Sequence, residues 1–454
     1  MTEVRSPQRK LVPDTVGPGD HERTSLWGIA KRVRACKDHR FQDLYRLLDA
    51  ELLHASWRDL NKKAAAGVDG VAMAVYEEDL DANIGALVER LKTKRYRTRR
   101  VRRCYIPKED GGERPLGIPA VEDRLVQAAC ARILTAIYEA DFLDVSYGYR
   151  PGKSAKDAVA DLGFNLHYGK FGHVVEADNI KGYCDAIDDG WLLEMLSLRM
   201  DDGAFLGLIR QWLQAGGNTG HGWGGPAPGD RQPPGWGGLA GAGERVSAHA
   251  LDLWFERVVK PRCRGQALLV RYADDDVCAF QFQEDAQRFY RVVARRLGRF
   301  GPQVAPEKTR LMRFSRFHPG LRRRFAFLGF ELYWNRDRRG ELRVMKRTAR
   351  KKLQAAKRRL KGWIRAARHL PGRVFIRELN RRLVGHYNYF GLRSNEQGLR
   401  SYYIFAIRCA FKWLNRRGGK RSSFNWTQYI AALRKLGVAQ PRITERQRAH
   451  TVFA

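Results

Sequence analysis

The chain has 454 residues, of which 44% are hydrophobic, and a net charge of +35 from 84 Lys and Arg against 49 Asp and Glu. This much apolar material suffices for two or three packed domains, which excludes a disordered tail or a small disulfide scaffold. A balance this basic favours a polyanionic partner, most commonly nucleic acid.

Local patterns exclude three further classes of protein. No stretch approaches the roughly 18 apolar residues that a membrane-spanning helix needs, so we expect no membrane partner. Residues 1–14 lack the apolar core of a secretory signal. The seven cysteines are widely spaced and include no CxxC pair, which is typical of reduced thiols in a cytoplasmic protein. They predict neither a disulfide framework nor a zinc site.

The N-terminal third of the chain predicts a tail, helices and a pair of short strands. Residues 1–25 predict a disordered tail, and apolar side chains recur every three or four residues across 27–95. Two β-like segments, 99–108 and 114–119, flank an acidic, glycine-rich turn. A long amphipathic helix is predicted over 121–142.

Strand-like segments dominate the middle of the chain. Residues 173–178 are apolar and β-branched and end in an acid, so they predict a buried strand with Asp178 at its tip. Residues 267–280 predict a strand, a sharp acidic turn and a second strand, and 324–334 predict one further strand. The segment 216–243 is rich in Gly, Pro and Trp and predicts neither helix nor strand.

The predicted strand ends carry three carboxylates, Asp178, Asp274 and Asp275. If the two strands are neighbours in one sheet, the three acids meet at one place, where they need a cation, and hard oxygen ligands suit Mg²⁺. Two such ions activate a 3′-hydroxyl and stabilise the leaving pyrophosphate of a phosphoryl transfer. A single acid at a strand end is usually a solvated turn residue, but Tyr-Ala-Asp-Asp within an apolar hairpin, with a matching acid upstream, favours a metal site.

The Tyr272-Ala273-Asp274-Asp275 box stands in an ordered series of further motifs. These are AAGVDGV (65–71), YIPKEDGGERPLGIPAVEDRLVQ (105–127), SYGYRPGKSAKDAV (146–159), VVEADNIKGYCDAID (174–188), VAPEKTRL (304–311), FAFLGFEL (325–332) and GHYNYFG (385–391). Together they resemble the blocks of group II intron-encoded reverse transcriptase/maturases, from about residue 40 to the C-terminus.

The resemblance implies an α+β right-hand polymerase with fingers, a palm built on an antiparallel sheet, and a helical thumb called domain X. We therefore expect an N-terminal extension and fingers over 26–170, the palm over 171–340 and the thumb over 341–454. The implied function is RNA-directed DNA synthesis together with maturase activity, which copies a group II intron and assists its splicing. The implied partners are structured intron RNA, an RNA template with a DNA primer, and dNTPs, in a bacterial-type cytoplasm at the nucleoid.

By position, the resemblance assigns Asp178, Asp274 and Asp275 as catalytic ligands of two Mg²⁺ ions, for which Mn²⁺ can substitute. Two departures from the family pattern stand out. Asn179 is inserted before Ile-Lys-Gly, and Asp276 occupies a position that is generally apolar in the family, where it either crowds the site or faces solvent.

The resemblance also suggests nucleotide-binding residues. Tyr183 is the candidate aromatic under the incoming sugar, and Lys308 is the candidate acid or charge clamp at the phosphates. Further candidate contacts to the triphosphate or the template backbone are Lys108, Arg114 and Arg124.

The C-terminal region is strongly cationic. The last 114 residues hold 29 Lys and Arg against 4 Asp and Glu, so they carry +25 of the net charge. Residues 346–368 predict a cationic amphipathic helix with no acid, whose apolar face holds Leu353, Leu360 and Ile364. Candidate RNA contacts on this segment are Lys346, Arg347, Arg350, Lys351, Lys352, Lys357, Arg358, Arg359 and Lys361.

Two other features of the C-terminal region bear on function. Tyr387, Tyr389 and Phe390 either pack in the thumb core or stack on bases. No HNH-type Cys/His cluster follows residue 420, so we expect no endonuclease domain.

The segment ahead of residue 249 lacks the family's PQGG block. Residues 232–248 read QPPGWGGLAGAGERVSA, and codons exist for them that give NPQGGVVSPVLANVYL when read one base later. We therefore hypothesise compensating single-base shifts on either side of this segment, which leave an aberrant Gly-rich loop at about 216–248 and place polymerase activity in doubt. The alternative is a catalytically impaired RNA-binding splicing cofactor or a decayed reverse transcriptase. A stand-alone or retron-type reverse transcriptase is disfavoured by the long basic region after FLGF (327–330) and by the intron-type finger blocks.

Overall fold

The computed structural model describes residues 25–107, 113–177, 189–215, 246, 249–298, 309–416, 424–446 and 452. They form two compact units. The first takes in 1–151, 179–255 and 293–305, and the second takes in 152–178, 256–292 and 306–454. Each unit combines helices with antiparallel strands, so the α+β class is confirmed.

The first unit is mainly helical, as the spacing of its apolar residues predicts. Its elements are α1 Leu26–Ala35, α2 Ala50–Asp59, α3 Met73–Glu78, α4 Leu80–Lys92, β1 Arg102–Pro107, β2 Glu113–Ile118, α5 Val121–Tyr138, α7 Asp189–Ser197 and α8 Gly203–Ala215. The central helix α5 buries Leu125, Ile133 and Ile137 completely, and α1 and α2 pack against it. The strands β1 and β2 correspond to the two predicted β-like segments and pair in antiparallel fashion.

The second unit is built on a four-stranded antiparallel sheet. Its strands are β3 His173–Ala177, β4 Ala267–Tyr272, β5 Asp275–Phe280 and β6 Thr309–Arg313, in the order β4-β5-β3-β6. The middle of β4 and β5 is buried throughout, from Leu268 to Val270 and from Val277 to Phe280. A near-continuous apolar run of this kind marks strands covered on both faces.

A second, three-stranded sheet follows, with β7 Arg324–Phe327, β8 Phe330–Arg336 and β9 Leu342–Thr348. The prediction of a single strand over 324–334 is wrong, because the chain reverses at Leu328 and Gly329. Both residues have positive φ angles, 51° and 79°. Such a two-residue turn matches the right-handed twist of the paired strands.

Helices cover and extend these sheets. Their bounds are α6 Ala155–Tyr168, α9 Gln283–Gly298, α10 Arg350–Ala367, α11 Gly372–Phe390, α12 Glu396–Leu414 and α13 Trp426–Lys435. The helix α6 begins with a capping box between Ser154 and Asp157 and packs on β4 and β9. The α10–α13 helices bury a common core around Ile364, Phe375 and Leu379.

The cationic helix begins four residues later than predicted. Lys346 and Arg347 belong to β9, where they pair with Leu332 and Glu331 of β8. The helical period starts only at Arg350, once this pairing ends. Among the described helices, none has the length and apolar character needed to cross a bilayer.

Candidate active site and nucleic-acid interface

The acidic box forms a tight hairpin turn between two buried strands. Tyr272 pairs with Asp275, so Ala273 and Asp274 alone connect β4 to β5. Ala273 has a φ angle of 57°, in the left-handed region that costs an L-residue about 1–2 kcal/mol. The buried strands on either side hold the turn in this conformation. Strain held in this way typically fixes functional side chains in place.

Asp274 presents a carboxylate oxygen that the described part of the protein does not satisfy. Its Oδ1 is buried and has no hydrogen-bond partner among the described residues. Leaving a buried polar atom unpaired costs about 1–3 kcal/mol, and more when the group is charged. A hard divalent cation satisfies such an oxygen, so the donor fits a Mg²⁺ or Mn²⁺ ligand.

The strand β3 lies beside β5, so the condition under which the three acids could meet is fulfilled. Its last residue, Ala177, pairs with Asp276 on one side and Thr309 on the other, so β3 ends at the edge of the sheet where Asp275 begins β5. Asp178 follows Ala177 directly and lies outside the described residues. Within the described part of the chain, no three His, Cys, Asp or Glu side chains gather to hold a metal. Of the three predicted ligands, Asp274 and Asp275 lie within the described residues, and their role as ligands stays a prediction.

Asp276 was expected either to crowd the site or to face solvent. The structure rules out the second alternative. The Asp276 side chain is buried, and its cross-strand partner is the equally buried Arg271. Because side chains alternate along a strand, Asp276 points to the face opposite to Asp275. The opposite charge across the ladder suits a buried acid at this position.

Tyr389 of α11 lies close to the acidic turn. Its hydroxyl donates a hydrogen bond to the carbonyl of Leu328 over 3.1 Å, and its ring stacks on Phe330. Partial burial raises the pKa of Tyr389, and the nearby Tyr272 and Asp275 raise it further. Since 42% of the side chain remains exposed, Tyr389 links the β7–β8 turn to the surface beside the carboxylates.

Arg124 is not placed as a phosphate contact. The side chain is only 7% exposed, and its guanidinium donates to the carbonyls of Pro119, over 2.9 Å, and of Ala65. Burial lowers the pKa of this guanidinium. Arg124 therefore ties the start of α5 to the preceding loop instead of presenting its charge to a nucleotide.

The other predicted nucleotide contacts fall where the structure gives no side-chain description. Arg114 lies in β2 opposite Ile106, but its side chain is not among those described. The positions outside the described residues are Lys108, Tyr183 and Lys308.

Lys346 and Arg347, two of the nine predicted RNA-binding cations, are paired with acidic side chains of the protein. Lys346 is mostly buried, its Nζ lies 3.8 Å from a carboxylate oxygen of Glu445, and burial lowers its pKa. Arg347 binds the Glu331 carboxylate through two nitrogens, over 2.8 and 2.9 Å. These contacts within the protein compete with RNA for both side chains, and the role of Lys346 and Arg347 as RNA contacts stays a prediction.

The remaining seven cations lie on α10. Lys357 is half-buried and donates to Ser401 Oγ over 2.9 Å. The exposed ones are Arg350, Lys351, Lys352, Arg358, Arg359 and Lys361.

The three C-terminal aromatics separate into core and surface. Tyr387 is fully buried, and its hydroxyl donates to the Ala439 carbonyl over 3.3 Å. Phe390 packs on Phe330 at a ring distance of 5.2 Å. Of the three, Tyr389 has the exposure that a contact to a base requires.

A second cationic stripe, on α12, is not among the predicted RNA contacts. Arg400, Arg408 and Lys412 are exposed at spacings of eight and four residues, and the exposed Ile404 lies between them. The i, i+4 recurrence was a usable signal.

Comparison with known proteins finds the following similarities. Residues 106–332, half of the chain, match the family described as "Reverse transcriptase (RNA-dependent DNA polymerase)". Protein YkfC of Escherichia coli (strain K12) is 34% identical over 186 residues, which is 39% of this chain and 48% of that protein.

Intron-encoded proteins are also similar. Group II intron-encoded protein LtrA of Lactococcus lactis subsp. cremoris is 34% identical over 190 residues, 41% of this chain and 31% of that protein. An uncharacterized 91 kDa protein in the cob intron of Schizosaccharomyces pombe is 36% identical over 133 residues, 29% of this chain and 16% of that protein. The chain thus spans less than half the length of each of these relatives.

Proposed function

Because the chain belongs to the reverse transcriptase family, we propose that it is an RNA-directed DNA polymerase that also binds and assists the splicing of a group II intron RNA. Its proposed partners are an RNA template with a DNA primer, dNTPs and structured intron RNA. The names of its intron-encoded relatives support the intron as the RNA. The family and the α+β architecture agree on a right-hand polymerase fold.

The observation that carries the polymerase proposal is the hairpin itself. Asp274 and Asp275 stand at a strained turn, β3 ends beside them, and Asp274 Oδ1 has no partner in the described protein. Reverse transcriptases use divalent metal ions, and we propose two Mg²⁺ ions, replaceable by Mn²⁺, with Asp178 as the third ligand. When bound, such ions neutralise charge on the reacting phosphate and lower the pKa of the attacking hydroxyl.

The residues around the turn have positioning roles in this proposal. The buried β4 and β5 strands fix the two carboxylates, and Tyr389 holds the β7–β8 turn at the edge of the site. Contacts to the nucleotide are proposed for Lys108, Arg114, Tyr183 and Lys308, from their sequence positions.

The intron-binding part of the proposal rests on charge. Seven exposed cations on α10 and three on α12 attract a polyanion and make its binding sensitive to salt. We place this activity in the bacterial cytoplasm at the nucleoid, in keeping with the free cysteines.

The polymerase proposal is tested by DNA synthesis on an RNA template. The full chain is supplied with poly(rA), oligo(dT) and dTTP, in Mg²⁺, in Mn²⁺ or with excess EDTA. We expect dTTP incorporation that needs a divalent cation and falls sharply when UTP replaces dTTP. Equal incorporation in EDTA would contradict a metal-dependent polymerase.

A splicing cofactor without polymerase activity is the second candidate function. The observation that favours it is the absence of PQGG from residues 232–248. The same assay separates the two, because this candidate predicts no incorporation in either metal while binding to intron RNA is retained.

A further inference from the structure

A groove of about 620 Å³ runs between α10 and α12 in the second unit. Its rim carries Lys357 and Lys361 of α10 and Arg400, Arg408 and Lys412 of α12. We call it the α10–α12 groove. Its volume falls within the range of about 300–1,000 Å³ that is usual for small-ligand pockets.

The rim of the α10–α12 groove has a single sign of charge. Five of its lining side chains are cations, and none of the described lining residues is acidic. Lys357 is held in place by Ser401 Oγ at 2.9 Å and by the Phe405 ring, whose centroid lies 5.6 Å from Nζ. Clustered cations without acids repel one another, so this arrangement is complementary to closely spaced anions such as successive phosphates.

The floor of the α10–α12 groove is apolar and aromatic. Ile404 is 37% exposed, and Phe405 and Trp413 are half-buried beside it. The Trp413 Nε1–H donor finds no acceptor in the described part of the chain. A simple phosphate-binding surface needs no such floor, whereas the flat face of a nucleobase stacks on aromatic side chains.

We propose that the α10–α12 groove binds one unpaired nucleotide of a folded RNA. The base lies against Ile404 and Phe405, and the phosphates on either side of it contact the cationic rim. Bases inside a double helix are stacked and unavailable, so the partner is a bulge or loop nucleotide. The proposal rests on the proposed function only in that RNA is the ligand, and it adds the binding site and the RNA feature that the site selects.

The test compares two RNA hairpins bound by the full chain. One carries a single bulged 2-aminopurine, and the other is the same hairpin with the bulge deleted. We expect the chain to bind the bulged hairpin about tenfold more tightly, in keeping with the energy of one stacked base, and to quench the 2-aminopurine fluorescence.

Substitutions then locate the preference in the groove. Ile404→Glu changes an exposed side chain and is expected to abolish both the preference and the quenching, because it brings an acid to the floor. Phe405→Leu keeps an apolar side chain but removes the aromatic face, so we expect both effects to weaken. Arg408→Gln with Lys412→Gln is expected to lower the slope of log affinity against log salt by about one to two.

The matched control is Arg434→Gln with Lys435→Gln, which removes two exposed cations from the end of α13. It is expected to keep the bulge preference. Equal binding of the two hairpins by the wild-type chain would overturn the proposal. So would an unchanged preference in both Ile404→Glu and Phe405→Leu, with circular dichroism confirming that Ile404→Glu is folded.

Primer extension by the wild-type chain is measured alongside. If the wild-type chain extends the primer but does not prefer the bulged hairpin, only the proposal for the α10–α12 groove is refuted. If it prefers the bulged hairpin but does not extend the primer, only the polymerase proposal is refuted.

Discussion

At the scale of single residues, sequence position predicts a functional side chain only where that side chain is not already buried in contacts within the protein. The place of Asp274 and Asp275 at a tight turn between two strands was predictable, because an acidic pair interrupts two apolar runs there. The burial of Lys346 and Arg124 was not predictable, because a basic residue in the sequence does not show whether its charge is exposed. Glu445, the partner of Lys346, lies about a hundred residues further along the chain, beyond the reach of any local pattern.

His386 illustrates the same point and leads to a pH prediction. It is 8% exposed, it stacks on Tyr402 at 3.8 Å, and burial lowers its pKa from 6.5 to about 4. The unfolded chain therefore binds more protons between pH 6.5 and 4, so stability falls as the pH is lowered through this window. At pH 4 the loss attributable to His386 is roughly 3 kcal/mol, at 1.36 kcal/mol per unit of pKa shift.

Urea unfolding of His386→Phe measures this loss, because phenylalanine keeps the stacking but does not titrate. The difference in unfolding free energy between pH 7.5 and pH 4.5 is expected to be smaller than in the wild type. His369→Phe, at an exposed histidine, is the control and should leave that difference unchanged. The same pH dependence in His386→Phe and the wild type would count against a buried neutral histidine.

At the scale of elements, the periodicity of apolar residues predicted most helices and strands. The errors occurred where strand pairing in the folded chain determines the secondary structure. The segment 324–334 is mostly apolar, with an unbroken apolar run over 325–330, yet the chain turns at Leu328 and Gly329 to form a hairpin. Lys346 and Arg347 continue a helical charge pattern, yet β8 pairs with them as a strand. Neither outcome is visible locally, because each depends on a partner strand.

The contact between α11 and the β7–β8 turn supports a prediction about positioning. Tyr389→Phe removes one hydrogen bond, to the Leu328 carbonyl, at a cost of about 1 kcal/mol in stability. Because Tyr389 lies near Asp275, we also expect shorter primer-extension products. Tyr403→Phe loses a comparable hydrogen bond, from Gln440, and serves as the control. If both variants make products of wild-type length, Tyr389 has no positioning role.

At the scale of the whole molecule, charge is divided between a moderately basic body and a strongly basic C-terminal region. This asymmetry is visible in the sequence and predicts an RNA-binding region. The α10–α12 groove could not be predicted from the sequence, because its two cationic rims come from helices that are separated by α11 and meet only in the folded core. The composition predicts that a polyanion binds, whereas the packing of α10 against α12 determines where a base could be accommodated.

The segment 232–248 leads to a prediction for the whole enzyme. Replacing residues 232–247 with NPQGGVVSPVLANVYL restores the family's PQGG block, which borders the nucleotide and template in the resemblance. Correct positioning at a reacting centre is worth up to about a hundredfold in rate, so we expect a clear rise in primer extension. The restored chain carrying Asp275→Asn is the control and should stay inactive. Unchanged extension would indicate that the Gly-rich segment is compatible with full activity.

The most direct test of the polymerase assignment is extension of a DNA primer on an RNA template by Asp274→Asn and Asp275→Asn. Each substitution keeps the side-chain shape but removes a charge that the metal ions require. We predict that each lowers the extension rate roughly a thousandfold, while Asp81→Asn, at a side chain that is 95% exposed, leaves it unchanged. Extension at near wild-type rates by both variants would contradict the assignment of this hairpin as the polymerase site.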